Sequence, residues 1–166
     1  MTDAPLVSVI IPNWNGAAFL RPCLDALRAQ TYPALEVIVA DNTSTDGSRE
    51  LVAADYRAVR LVALPENRGF TGACNAGIRA AQGEIVALLN NDTEAAPGWV
   101  AAVVDAFRRH PEAGMVASRI MLIDRPDTFH AAGDFYRVDG VPGNRGVWER
   151  DAGQYAEEAY TFSANG

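Results

Sequence analysis

The chain has 166 residues, 49% of them hydrophobic, which is enough to bury the core of one α/β domain. Fourteen basic residues against 21 acidic ones leave a formal charge of −7, which excludes the clustered basic surface of a non-specific nucleic-acid binder and offers no polybasic patch to anionic lipid. All fourteen basic residues are arginine, so neither a pyridoxal Schiff base nor a P-loop lysine can be built.

Residues 1–5 lack the basic n-region of a secretory signal, and the apolar run behind them is too short to span a membrane; a cytoplasmic location is expected. Residues 6–11 form a β-branched apolar run that predicts a buried first strand, stopped by Pro12. Over residues 17–30, Phe19, Leu20, Cys23, Leu24 and Leu27 recur on one helical face. Residues 35–40 predict a second strand ending at Asp41-Asn42, and Thr43 to Gly47 is cap chemistry before a helix to about Asp55. Residues 59–64 predict a third strand ended by Pro65. A helix rich in small residues then runs through Ala73, Gly77 and Ala81, closed by Gly83. Residues 84–89 predict a fourth strand, with Asn90-Asn91-Asp92-Thr93 at its end. Pro97 opens a helix whose buried stripe is Trp99, Val100, Val103, Val104 and Phe107. Residues 113–118 read as a fifth strand, and beyond Ser118 strands are only weakly indicated. Cys23 and Cys74 fall inside apolar patterns and read as buried free thiols of a reducing compartment.

Four alternations of strand and helix joined by short loops predict a mostly parallel sheet with helices on both faces. Ligands bind such sheets outside the carboxyl ends of the strands. Asn13 and Asn15, Asp41 and Asn42, and Asn90 to Asp92 stand at those ends. The turn Pro12-Asn13-Trp14-Asn15-Gly16 is not the Gly-x-Gly-x-x-Gly of a dinucleotide fold, and it has no basic residue to hold a nucleotidyltransferase's triphosphate. Asn90 stands where a haloacid-dehalogenase-like phosphatase needs a nucleophilic aspartate. With only His110 and His130, and no Gly-x-Ser-x-Gly elbow, a hydrolase triad has little to be built from.

Three stretches together resemble the family 2 glycosyltransferases of GT-A fold, in their rhamnosyltransferase-like branch. They are Val7 to Asn15, Glu36 to Ser48, and Asn67-Arg68-Gly69-Phe70 through Asn75-Ala76-Gly77 and Gly83-Glu84 to Leu88-Leu89-Asn90-Asn91-Asp92-Thr93. The resemblance covers roughly the first 120 residues and implies a nucleotide-sugar-binding core over 1–118, with 119–166 beginning an acceptor-side region of the same domain. It implies a UDP- or dTDP-sugar donor and a glycan or lipid-linked saccharide acceptor, in cell-envelope polysaccharide synthesis. The Pro12-Asn13 backbone would form one wall for the base, with Asn15 also among the donor-binding residues. Asp41 would accept the N3–H of uracil or thymine, the alternative being that it caps the following turn. Asn67, Arg68 and Asn75 would sit beside the donor, although Cys74 stands where the family often has arginine and Arg68 is equally readable as a surface residue. Asn90, Asn91 and Asp92 would meet the diphosphate, with Asp92 and Asn90 at a Mg²⁺ or Mn²⁺ ion. Asn90 departs from the commoner Asp-x-Asp and removes one negative charge.

Inversion needs a carboxylate base, which the family carries after a strand and small-residue turn that residues 160–166 resemble. Glu157 and Glu158 lie too early for that role, so the base is expected beyond Gly166 and the chain is expected to be a truncated domain with little turnover. Exposed apolar surface would then favour a homodimer. The full-length protein is expected at the inner face of the membrane. The competing expectation is a non-catalytic nucleotide-binding module.

Overall fold

In the computed structural model, which describes residues 4–164, the chain divides into two units, Met1–Asp105 and Ala106–Gly166. The first unit holds β1 (Val7–Asn13), α1 (Ala17–Arg28), β2 (Leu35–Asp41), α2 (Ser48–Asp55), β3 (Arg60–Ala63), α3 (Gly69–Ala80), β4 (Ile85–Leu88) and most of α4 (Trp99–Arg109). Its sheet has the order β3-β2-β1-β4, every pair parallel. β1 lies inside and is buried along its whole length, its polar Ser8 and Asn13 included.

The strand does not stop at Pro12. It continues to Asn13, with Pro12 opposite Ala40 and Asn13 opposite Asp41. Even-numbered residues of β1 bond toward β4, as Ile10 does by accepting from the Leu89 N–H at 2.9 Å. The β4 register ends at Leu88, so no ladder bond is lost where proline lacks its N–H.

Period two along the strands sorts the two faces. Val7, Val9, Ile11, Val39 and Leu89 join Leu20, Cys23, Leu24 and Leu27 of α1, Val52 of α2, and Val100 and Val104 of α4 in one core. Phe19, expected on the buried face of α1, is 58% exposed, and Trp99, Val103 and Phe107 are only half-buried. The opposite face carries Ile10 and Ala40 under α3. A Cβ at Gly77 would overlap Ile10 Cγ2, so the small residues of α3 set how closely it seats on the sheet. Gly83 does not close that helix, which ends at Ala80. It is needed because a Cβ there would come within 2.7 Å of the Leu6 carbonyl and the Ser8 nitrogen.

In the second unit, residues 113–118 do not form the expected strand; no ladder is made over them among the described residues. β5 (Ile120–Met121) pairs antiparallel with β6 (Phe129–Ala131), and β7 (Asp134–Tyr136) with β8 (Pro142–Asn144). Phe129 and Ala131 are fully buried, and Tyr155 meets the Phe129 ring edge-on at 5.3 Å. Phe162 and Ser163 lie along β7, through Phe162 N–H to Asp134 O (3.0 Å) and Asp134 N–H to Ser163 O (3.2 Å). Among the described residues, no helix is long and apolar enough to cross a membrane.

Candidate donor site

A cavity of about 490 Å³ opens at the carboxyl ends of β1, β2 and β4. Each strand contributes through the residues just past its core. Pro12, Asn13 and Trp14 come from the end of β1, Asn42 from that of β2, and Asn90, Asn91 and Asp92 follow β4. The fourth wall is the loop before α3 and its first turns, with Asn67, Gly69, Phe70 and Ala73. Trp14 and Phe70 are 59% and 60% exposed, so two uncovered aromatic rings flank the opening.

A hydrogen-bond chain beneath the cavity ties these loops together. Asp41 is fully buried, and its carboxylate accepts from Arg49 Nε at 2.5 Å, the Ser44 N–H at 3.0 Å and Asn13 Nδ2 at 3.1 Å. Asn13 Oδ1 then accepts from Asn91 Nδ2 at 2.8 Å, which links the Asp41 anchor to the loop carrying Asp92. A Cβ at Gly16 would come within 2.6 Å of Asn13 Oδ1 and overlap Asn91 Nδ2, so that position must be bare. Burial pushes the Asp41 carboxyl up, but the bonds from Ser44, Arg49 and Asn13 outweigh it and hold the group below its ordinary value.

Asn42 plays a matching part for the fourth wall. Its Nδ2 donates to Asn67 Oδ1 (2.7 Å) and the Gly69 carbonyl (3.2 Å), and its Oδ1 accepts from the Arg68 N–H (2.8 Å). Gly69 takes φ +67°, a left-handed conformation that a side chain would strain.

The structure thus gathers Pro12, Asn13, Asn67, Asn90, Asn91 and Asp92 of the expected donor residues. Four others lie off the cavity lining. Asp41 is fully buried beneath the lining, with its carboxylate bonded to Arg49, Ser44 and Asn13. Asn15 faces the 43–46 turn, where its N–H donates to Ser44 Oγ and its Oδ1 accepts from the Thr45 N–H. The Arg68 guanidinium pairs with Glu66 at 3.0 Å, and Asn75 is exposed on α3. Trp14, Asn42, Gly69, Phe70 and Ala73 line the cavity without having been among the expected site residues. The expected small-residue turn runs into Asn165 and Gly166, which lie outside the described residues, as does a base beyond Gly166.

The lining chemistry is five asparagines and a single carboxylate, Asp92, with no guanidinium. Asp92 is exposed and Asn90 half-buried, and neither side chain bonds to the protein among the described residues. Oxygen donors of this kind suit a hard divalent cation. No group of three His, Cys, Asp or Glu surrounds them among the described residues, so a cation here takes most of its ligands from elsewhere. That fits Mg²⁺ or Mn²⁺, which bind through one or two carboxylates plus substrate phosphates. The neighbouring Cys23 is not a competing ligand, because burial, with Asp92 and Glu94 nearby, pushes its thiol up to about 12.

A parallel sheet with strand-end polar loops, an Asn-x-Asp carboxylate and a cavity bounded by aromatic rings define a GT-A-type domain. Comparison with known proteins agrees: the model of glycosyl transferase family 2 matches residues 8–156, and the chain belongs to that family. The glycosyltransferase AglE of Haloferax volcanii is 38% identical over 101 residues, covering 58% of this chain and 33% of that protein. The succinoglycan biosynthesis protein ExoO of Rhizobium meliloti is 35% identical over 136 residues, covering 81% of this chain and 37% of that protein. The chain therefore spans about a third of the length of these two relatives. Among solved structures, the mannosyltransferase PcManGT of Pyrobaculum calidifontis, in complex with GDP-Man and Mn2+, superposes with a TM-score of 0.59 at 32% identity over 75% of this chain and 37% of that one. S. aureus TarS 1-349 in complex with UDP-GlcNAc shares the fold, with a TM-score of 0.60 at 21% identity over 72% of this chain and 41% of that one.

Proposed function

We propose that this chain forms the donor-binding part of an inverting glycosyltransferase that moves a sugar from a nucleoside diphosphate to a glycan or lipid-linked saccharide. The observation that carries the reading is the composition of the cavity. Asp92 is its one charged side chain, so a diphosphate placed there has no basic residue of the lining to balance it. A divalent cation, Mg²⁺ or Mn²⁺, supplies that neutralisation as the nucleoside diphosphate departs. Asp92 would hold the cation directly, with the Asn90 amide oxygen as a second donor or as an acceptor for the ribose.

The remaining residues do positional work. Asn13 and Asn91, fixed by Asp41 from below, shape the floor between the base and diphosphate regions. The exposed Trp14 ring offers a face on which a base can stack. Asp41 serves as the interior anchor of the site. UDP- and dTDP-sugars are the donors the resemblance implies. The rival is a GDP-sugar, favoured by the GDP-Man complex of the Pyrobaculum relative and by the position of Asp41, buried and off the cavity lining.

Calorimetric titration of UDP, dTDP and GDP, each with and without Mn²⁺, tests this. One nucleotide should bind in a metal-dependent manner, and Asp92→Ala should weaken it at least about tenfold without altering the fold. Equal binding with and without Mn²⁺, or binding unchanged in Asp92→Ala, overturns the assignment of the metal to Asp92.

A further inference from the structure

We propose that the face of the β7–β8 hairpin carrying Asp134, Tyr136 and Asn144 is a subsite for one neutral saccharide unit. The class of ligand rests on the glycosyltransferase reading above, whereas the site rests on geometry within the second unit alone.

A cavity of about 320 Å³ lies over this face, at the small end of the roughly 300–1,000 Å³ typical of small-molecule pockets. The hairpin register places Asp134 opposite Asn144 and Tyr136 opposite Pro142, so by period two these side chains share one surface. Between them, Phe135 packs over Gly143, where a Cβ would come within 2.4 Å of its ring, and both residues add apolar surface to the cavity lining beside the Asp134 face.

The side chains on this face are oriented. Asp134 Oδ1 accepts from Asn144 Nδ2 at 2.9 Å, and Oδ2 accepts from Ser163 Oγ at 2.6 Å. Each carboxylate oxygen takes one protein donor here and retains a lone pair, so two further hydroxyl groups can donate to it side by side. The Asn144 amide oxygen and second N–H add an acceptor and a donor at the rim.

The apolar wall is the Tyr136 ring, stacked on Phe162 with centroids 5.1 Å apart and planes 24° from parallel. The two residues are 52% and 67% exposed, so the stack presents an uncovered ring face beside the carboxylate. Tyr136 Oη bonds to no protein group among the described residues.

An aromatic face with a pre-oriented carboxylate and amide beside it matches the two aspects of a pyranose. Its axial C–H groups make an apolar face, and its equatorial hydroxyls make a polar edge. Asp134 is the only charged group in the lining, which disfavours uronates and phosphosugars and selects a neutral hexose or deoxyhexose.

The test is a heteronuclear NMR titration of the full chain with methyl α-D-mannopyranoside, methyl α-L-rhamnopyranoside and methyl β-D-glucopyranoside in turn. UDP, dTDP and GDP with Mn²⁺ are titrated in parallel. At least one glycoside should shift resonances of residues 134–144 and 161–163, saturating in the millimolar range. Tyr136→Ala and Asp134→Asn should each weaken it at least about tenfold. Tyr136→Phe, which keeps the ring stack, should retain most of the affinity. Glycoside shifts that spread over the surface without saturating, or that survive Tyr136→Ala and Asp134→Asn unchanged, overturn the subsite. Nucleotide binding without any glycoside response overturns it while leaving the donor site standing. Saturating glycoside binding without a nucleotide response upholds it and removes the donor reading instead.

Discussion

Asp41 holds its charge where water does not reach, and the consequences differ from those of a base-reading carboxylate. Its bonds run to Arg49, Ser44 and Asn13, and through Asn13 to Asn91. Asp41→Asn keeps the shape and an Oδ1 that can accept from Arg49 and Ser44, but it removes the charge facing the half-buried Arg49 guanidinium and sets an amide NH₂ against Asn13 Nδ2, which should cost about 2–3 kcal/mol of stability. If Asp41 is an anchor, the variant weakens UDP, dTDP and GDP by similar factors and weakens Mn²⁺ in their presence. A loss confined to the pyrimidine nucleotides would instead make Asp41 a base reader. Acid should reveal the same group. Its folded carboxyl lies below the unfolded value of about 3.9. The stabilisation is therefore complete above that value and lost as pH falls through the lower folded one. Urea titrations between about pH 5 and pH 2 should show this acid limb shrink in Asp41→Asn. Asp41 and Asn42 are adjacent in sequence, yet the pleat separates their duties. Asp41 shares the parity of Val37 and Val39 on the core face, whereas Asn42 reaches the cavity beside α3. Period two, applied one residue beyond the apolar run, would have made that distinction from sequence. The fate of Trp14 was not legible in that way, because no periodicity extends into the turn after β1.

At the scale of elements, the seating of α3 is the tightest constraint. Gly77 lies against Ile10 and Ala40, and an added Cβ meets the β-branched Ile10 in a fully buried strand. Alanine would gain about 1 kcal/mol of helix propensity, but overpacking costs about 1–3 kcal/mol, and a Cβ only 2.3 Å from Ile10 Cγ2 puts this site at about 2–3 kcal/mol. Gly77→Ala should therefore give a net loss of about 1–2 kcal/mol by denaturant titration, with α3 lifted and nucleotide affinity reduced through Asn67 and Gly69. A variant as stable as the parent would show that the helix can slide without cost. The elements of this unit were readable because each strand is a short apolar run cut off by Pro, Asn or Asp, and each helix has a clear apolar stripe. Their ends were less so. Pro12 reads as a stop, but the ladder on its β4 side has already ended, so nothing is broken. Gly83 reads as a helix cap, while its real constraint is the Leu6–Ser8 backbone, more than seventy residues away in sequence. Past residue 105 the pattern gives little, because three-residue strands and aromatic contacts such as Phe129–Tyr155 leave no period to detect. The apolar run at 113–118 looked like a strand for want of any sign that it has no ladder partner.

For the molecule as a whole, two opposing terms govern association between copies. The formal charge of −7 makes copies repel, with a range set by salt. Against this stands the outer face of β4, an edge strand among the described residues, whose Val86 and Leu88 are 41% and 50% exposed on the side not held by the α1–α2–α4 core. An edge of this kind, with apolar side chains and unpaired backbone, is a template for pairing with a second copy. Burying two such side chains yields only a few kcal/mol, much of it consumed by lost rigid-body freedom, so the dimer should be weak, with a Kd of about 100 μM or higher. Raising salt screens the repulsion and leaves the apolar term intact, so sedimentation equilibrium should show association that strengthens with ionic strength. Leu88→Glu puts a charge at the centre of the contact and adds to the repulsion, and it should hold the chain monomeric at every salt concentration. Leu88 lies outside the cavity lining, so metal-dependent nucleotide binding should survive the substitution. Association that weakens with salt would point to charge pairing at another surface, and a dimer that persists in Leu88→Glu would remove β4 from the contact.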